Sequence, residues 1–167
     1  MFRRFRYLWA FLLTAFAAVL LRGLAVALPS PATEVLSPMN ESPWELGKLV
    51  FWPYLCGALL LWRLEPKGSA SRGGHCAALL SAAAFMAALC QLLWGVVPLW
   101  LLFCAAVAGS MALYHFLLRR RLWGGELLWY TAVILLAITY ILFTILPPSG
   151  ALFTEPGDVS AMAPIPF

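Results

Sequence analysis

Charge is scarce in this sequence. Only 11% of its residues are Asp, Glu, Lys or Arg, 63% are hydrophobic, and the mean hydropathy is +0.90. A soluble domain carries roughly a quarter charged residues. A water-covered surface is therefore excluded for most of the chain, and lipid is its expected solvent. Familiar catalytic signatures are missing as well: no HExxH, no GxSxG, no Walker loop and no glycine-rich dinucleotide turn. No catalytic residue and no cofactor can be named from motifs. An intramembrane enzyme is not thereby excluded, because its site needs only two or three dispersed polar side chains. The four cysteines, Cys56, Cys76, Cys90 and Cys104, form no CxxC pair. Lying in or at the edge of apolar runs, they read as small packing residues. No internal repeat is visible.

The charge that is present is sorted. Nine of the eleven Lys and Arg residues fall in three short clusters between apolar segments. A net charge of +4 distributed in this way is a topology signal rather than a nucleic-acid-binding stripe, and no nucleic-acid partner is expected.

The 167 residues suit one transmembrane domain, an all-α polytopic helical bundle. A spanning helix needs about 20 mostly apolar residues. The expected spans are residues 7–28, 42–62, 75–94, 98–118 and 126–146. Pro29 ends the first, the Gly95–Pro98 segment divides the long third apolar stretch, and Pro147-Pro148 stops the last. Pro53 is expected to kink the second. With five spans, Arg3, Arg4 and Arg6 share one side with Arg63, Lys67 and Arg72 and with Arg119, Arg120 and Arg121. By the positive-inside rule that side is cytoplasmic, which puts the N-terminus inside, the C-terminus outside and the protein in a cell membrane. Glu34, Glu41, Glu45, Glu155 and Asp158 gather on the opposite side. Ala25-Val26-Ala27 resembles a signal-peptidase site. Arg22 interrupts the run before it, so an uncleaved first span is the expectation.

Residues 64–74, rich in Gly and Ser, read as a flexible cytoplasmic link, and the tail 147–167, with five prolines and two glycines, as irregular. That tail is long enough to hold Leu152 and Phe153 against the bundle. Small residues at helical spacing, Ala77, Ser81, Ala84 and Ala88 on one span and Ala105, Ala108, Gly109 and Ala112 on the next, predict close packing of spans three and four. Trp44, Trp94, Trp100, Trp123 and Trp129 read as interfacial anchors. His75 and His115 sit at one membrane boundary, but no third ligand is evident and no metal site is expected.

The second span opens on Asn40-Glu41-Ser42-Pro43-Trp44-Glu45. Ser42 with Glu45 three residues later is a capping-box pattern, with Pro43 at the first helical position. A cap explains Ser42 and Glu45 but requires neither Asn40 nor Glu41. Arg22 lies about 9 Å from the outer end of span one. An intramembrane arginine faces a partner or cavity, or snorkels to the headgroups. Glu41 and Glu45 lie at its level, with Gln91 and Thr144 near the same end.

The stretch Pro38-Met39-Asn40-Glu41-Ser42-Pro43-Trp44-Glu45-Leu46-Gly47-Lys48, with Phe143-Thr144 to Asp158, resembles an uncharacterised family of small bacterial five-span membrane proteins, classed as a domain of unknown function. In that family an Asn-Glu-Ser-x-Trp-Glu element opens the second helix, and a Phe-Thr, Pro-Pro, Leu-Phe, Asp-Pro-type tail follows the last. This chain departs from it in carrying Glu155-Pro156 and an arginine near the end of span one. The resemblance implies a bacterial plasma-membrane setting and directs attention to Asn40, Glu41, Trp44, Glu45 and Lys48.

Three functions remain open on the sequence. The first is binding of a small molecule or lipid headgroup at an outward-facing polar pocket lined by Arg22, Asn40, Glu41, Trp44, Glu45 and Lys48. The second is an intramembrane lipid-modifying enzyme using Glu41 or Glu45. The third is a structural or assembly subunit in which the motif only caps a helix. Membrane lipid is an expected partner in each.

Overall fold

The computed structural model describes residues 5–65, 72–118, 126–146, 148–150 and 152–154, and all their regular structure is helical. In chain order the elements are α1 (Arg6–Ala27), α2 (Pro31–Leu36), α3 (Pro43–Leu64), α4 (Arg72–Leu93), α5 (Leu99–Leu113) and α6 (Glu126–Ile145), with a π-helical turn, Tyr114–Leu118, prolonging α5. Four helices among the described residues are long and apolar enough to cross a membrane: α1, α4, α5 with its π turn, and α6. The other expected span, α3, matches α1 in length at 22 residues, but Glu45, Lys48, Arg63 and Pro53 within it make it less apolar.

The location of α3 explains how it carries those groups. Thirteen of its 22 residues are buried, from Pro43 to Leu61, whereas α6 buries only Tyr140. It is the central helix, packed mainly against α1 and α4. α1 meets it along Ala10, Thr14 and Ala18, a buried stripe at i, i+4 spacing. The fit is close at Gly57, where an added Cβ would strike the Thr14 hydroxyl and lie 2.8 Å from the Ala10 carbonyl.

Two elements differ from expectation. The outer loop contains the short helix α2: the Ser30 hydroxyl accepts from the Thr33 amide at 3.3 Å, the Thr33 hydroxyl accepts from the Ser30 amide at 2.9 Å, and Pro31 supplies a preset φ. At the other end of the bundle, α4 begins three residues before His75, taking Arg72, Gly73 and Gly74 out of the expected flexible link. Gly73 is pressed against the Trp129 indole of α6, so a tertiary contact overrides the low helix propensity of paired glycines. Residues 66–71 of that link lie outside the described set, as do most of the tail, Trp123 and Arg119–Arg121. Pro53 is held inside an uninterrupted α3. Gly95, at φ +73°, makes the turn between α4 and α5, where the Val96 and Val97 amides both return to the Leu93 carbonyl.

The small-residue faces need correction. Ala77 and Ser81 do face the interior of the bundle, but Ala84, Ala88, Ala105, Ala108 and Ala112 are exposed. The α4–α5 seam is made one position over: Ser81 and Ser110 lie 3.0 Å apart and both donate to the Ala78 carbonyl. Because α4 carries alanine on several faces, residue size alone does not single out the packed stripe.

Contacts at both ends show that successive long helices alternate in direction. Tyr7, Glu65, His75, Tyr114 and His115 meet at the end where Arg6, Arg63 and Arg72 also lie, called the basic end below. Glu34, Glu45, Lys48 and Thr144 meet at the other, the acidic end.

Candidate functional site

At the acidic end the residues singled out in the sequence converge only in part, and they bond chiefly to one another. Ser42 accepts from the Glu45 amide at 3.3 Å, as a cap should. The return half of the capping box is absent. The Ser42 amide donates instead to the Asn40 side-chain oxygen at 3.1 Å, and this gives Asn40 the local role that the cap pattern left unexplained. The Glu45 carboxylate turns inward. One oxygen accepts from the Met39 amide at 3.0 Å and pairs with the Lys48 ammonium at 2.6 Å. Lys48 has no solvent exposure. Its ammonium also donates to the Thr144 hydroxyl at 2.7 Å and lies 3.5 Å from the Glu34 carbonyl. Thr144 passes the chain on to the Tyr140 carbonyl at 2.7 Å. Three helices are thus tied through one ammonium group.

Trp44 closes this centre from outside. Its amide donates to the Leu152 carbonyl at 3.0 Å, and its ring packs 4.8 to 5.4 Å from Tyr140, Phe143 and Phe153. The described part of the tail, residues 148–150 and 152–154, therefore folds back on the bundle through the Leu152 carbonyl and the Phe153 ring, while the Leu152 side chain stays exposed. Among the described residues the buried Trp44 Nε1 has no hydrogen-bond partner. Asn40 and Glu41 are exposed and Arg22 is half-buried, four residues beyond Ala18 on the face toward α3. Of the two acids at the level of Arg22, Glu41 and Glu45, the second pairs with Lys48 instead. Thr144 joins the cluster and Gln91, which is exposed, does not. Glu155 and Asp158 lie outside the described residues.

The bonding pattern makes a stability prediction. Ser42→Ala removes the acceptor for the Glu45 amide and is expected to lower stability by about 1 kcal/mol, measured by thermal unfolding in detergent. No measurable loss would mean that Asn40 and the Glu45–Lys48 pair hold the helix start unaided.

The basic end contains a second polar centre that the sequence did not single out. Glu65, the C-cap of α3, has a fully buried side chain. One carboxylate oxygen accepts from the Tyr114 hydroxyl at 2.6 Å and lies 3.2 Å from His75 Nε2, which is itself 3.0 Å from the Tyr114 hydroxyl. The His75 and Tyr114 rings stack at 4.2 Å. Burial works to raise the Glu65 pKa, but hydrogen bonds with His75 and Tyr114, together with the nearby charge of Arg6, hold it below the ordinary carboxylate value. His115, expected beside His75, bonds to the Tyr7 hydroxyl at 2.9 Å. The signal for this centre was one acid, Glu65, inside a basic loop; nothing local announced Tyr114.

Beside this triad a groove of about 170 Å³ opens between α3, α4 and α6. Leu55, Leu59, Leu79 and Val133 form apolar walls, His75 contributes to its lining, and Arg72, Trp62 and Tyr130 complete it. The Arg72 guanidinium carbon sits 5.0 Å above the Trp62 ring, a cation–π arrangement. The acidic end has a closed, self-satisfied ion pair; the basic end has an open apolar space beside the exposed Arg72.

Comparison of the chain with known protein families, with curated proteins and with solved structures finds no match.

Proposed function

We propose that this protein is a five-span protein of the bacterial plasma membrane, N-terminus cytoplasmic and C-terminus outside, that binds a lipid or similar amphiphile in the groove between α3, α4 and α6. Four helices already have the length and apolarity of spans. α3 completes the set in this reading, because a helix ringed by other helices need not present its charges to lipid. The three basic clusters then share the cytoplasmic face. Kinship with the five-span family carrying the Asn-Glu-Ser-x-Trp-Glu element belongs to the same reading.

The groove is the observation that carries the ligand. A bilayer-embedded protein gains nothing from an apolar hollow that lipid cannot fill, and this one has a cation and a tryptophan in its lining. Of the outer residues Arg22, Asn40, Glu41, Trp44, Glu45 and Lys48, the last three support a different role: they fasten α2, α3, α6 and the described part of the tail together, while Asn40 serves the start of α3. A ligand under the tail is the second reading, favoured by the partnerless Trp44 Nε1.

Native mass spectrometry of the protein extracted in mild detergent separates the two. In the groove reading the parent carries a discrete amphiphile adduct, and Leu59→Trp, which fills the groove from its exposed side, removes most of it. An adduct that survives Leu59→Trp but is lost from a folded Glu41→Gln, Glu45→Gln variant moves the site to the acidic end. No adduct on any form sinks ligand binding and leaves a structural or assembly subunit.

A further inference from the structure

We infer that the groove selects an anionic phospholipid, with the lipid's phosphate against Arg72 and an acyl chain between α3, α4 and α6; this rests on the groove reading above. Arg72 is exposed at the first residue of α4, and its guanidinium carbon lies 5.0 Å from the centre of the Trp62 ring. A cation–π contact engages the positive charge and takes up none of the guanidinium's hydrogen bonds with an acceptor atom, so its N–H donors remain for a phosphate. Among the described residues no ion pair engages Arg72.

Among the described lining residues the one formally charged side chain is Arg72. One acid beside the groove, Glu65, is held elsewhere: its carboxylate is buried against His75 and Tyr114 and is not among the lining residues. Glu126, at the start of α6, does not line the groove either. An anion at Arg72 therefore meets a cation with no carboxylate among the lining residues, whereas a zwitterionic headgroup also brings a positive charge toward it. Depth fits as well. From Arg72 to Leu79 is seven residues, about 10 Å along the helix, within the roughly 15 Å hydrocarbon depth of one leaflet. The Arg72 end lies on the cytoplasmic face, where anionic lipids and basic segments attract one another.

The test titrates the full-length protein in detergent with phosphatidylglycerol and, separately, phosphatidylcholine of the same acyl chains, reading bound lipid by native mass spectrometry. Phosphatidylglycerol is expected to bind the parent about tenfold more tightly, the scale of one charge-assisted contact. Arg72→Gln brings the two lipids to near parity, chiefly by weakening phosphatidylglycerol, while phosphatidylcholine, whose choline offsets part of its phosphate's attraction, weakens less. Leu59→Trp weakens both. Equal binding of both lipids by the parent overturns the inference yet leaves the groove reading standing, as does a preference that survives Arg72→Gln. Lipid binding that Leu59→Trp fails to weaken overturns the groove reading itself. Equal binding by the parent overturns the inference even if Arg72→Gln does not fold, and Arg72→Lys, which keeps the charge but not the planar fork, should then retain most of the preference.

Discussion

Lys48→Met is expected to destabilise the protein by about 3–5 kcal/mol, because it leaves the Glu45 carboxylate buried without its counter-charge. Glu45 is nearly as enclosed as Lys48, and the pair is too deep for water to replace the lost partner. The same change strips the Thr144 hydroxyl of a 2.7 Å donor and frees α6 from α3 at that level. Removing both charges together is a different experiment. In Glu45→Gln, Lys48→Met the amide still accepts from the Met39 N–H, no charge remains buried, and most of the loss should be recovered, since apolar replacement of a whole buried pair is often neutral. Unfolding of the two variants by denaturant in detergent, followed by tryptophan fluorescence, gives the comparison. A single variant within about 1 kcal/mol of the parent would mean that the pair behaves as a surface salt bridge and that α6 is held by its other contacts.

The second large effect concerns helix approach rather than charge. Gly57→Ala is expected to cost about 2–3 kcal/mol, in the upper range for overpacking, although alanine is the better helix former by about 1 kcal/mol. The new methyl would collide with the Thr14 hydroxyl and press on the Ala10 carbonyl. The carbonyl is backbone and can move only if α1 moves. Thr14→Ala in the same chain clears the hydroxyl but not the carbonyl, so it should restore part of the loss. Gly23→Ala is the control: it lies in the same class of helix with nothing within 4 Å, so it should be neutral or stabilising by about 0.5–1 kcal/mol. Equal effects at Gly57 and Gly23 would show that propensity, not the α1–α3 contact, governs both.

The number and placement of long helices were legible because each follows from a local property. About 20 consecutive apolar residues must satisfy their backbone groups internally when water is absent, and proline or glycine ends the run. The expected boundaries lie within a few residues of those found, the usual scatter of helix ends. α4 is the largest departure among them, beginning at Arg72 rather than 75, and its cause is the indole of a helix about 55 residues further along. The short α2 was signalled by Ser30-Pro31 and Thr33, but a six-residue helix does not produce an apolar run to notice.

Side-chain direction was harder to read. Lys48 and Glu45 are three residues apart on one helix, so their proximity could be foreseen. That they are buried could not, because a charged residue near a span end is equally at home in the headgroups. The deciding partner, Thr144, is 96 residues away. The same holds for Glu65, whose hydrogen bond from Tyr114 crosses 49 residues.

By itself, then, the sequence determined what the chain dissolves in, where its long helices run and which ends collect basic residues, since solvation and helix termination depend on neighbours in the chain. Only the tertiary structure decided that α3 is central, that its acidic-end motif is spent on a closed ion pair, and that open space lies at the basic end beside Arg72. Those outcomes depend on which helix faces meet, and in a chain apolar on nearly every face hydrophobicity cannot choose among them.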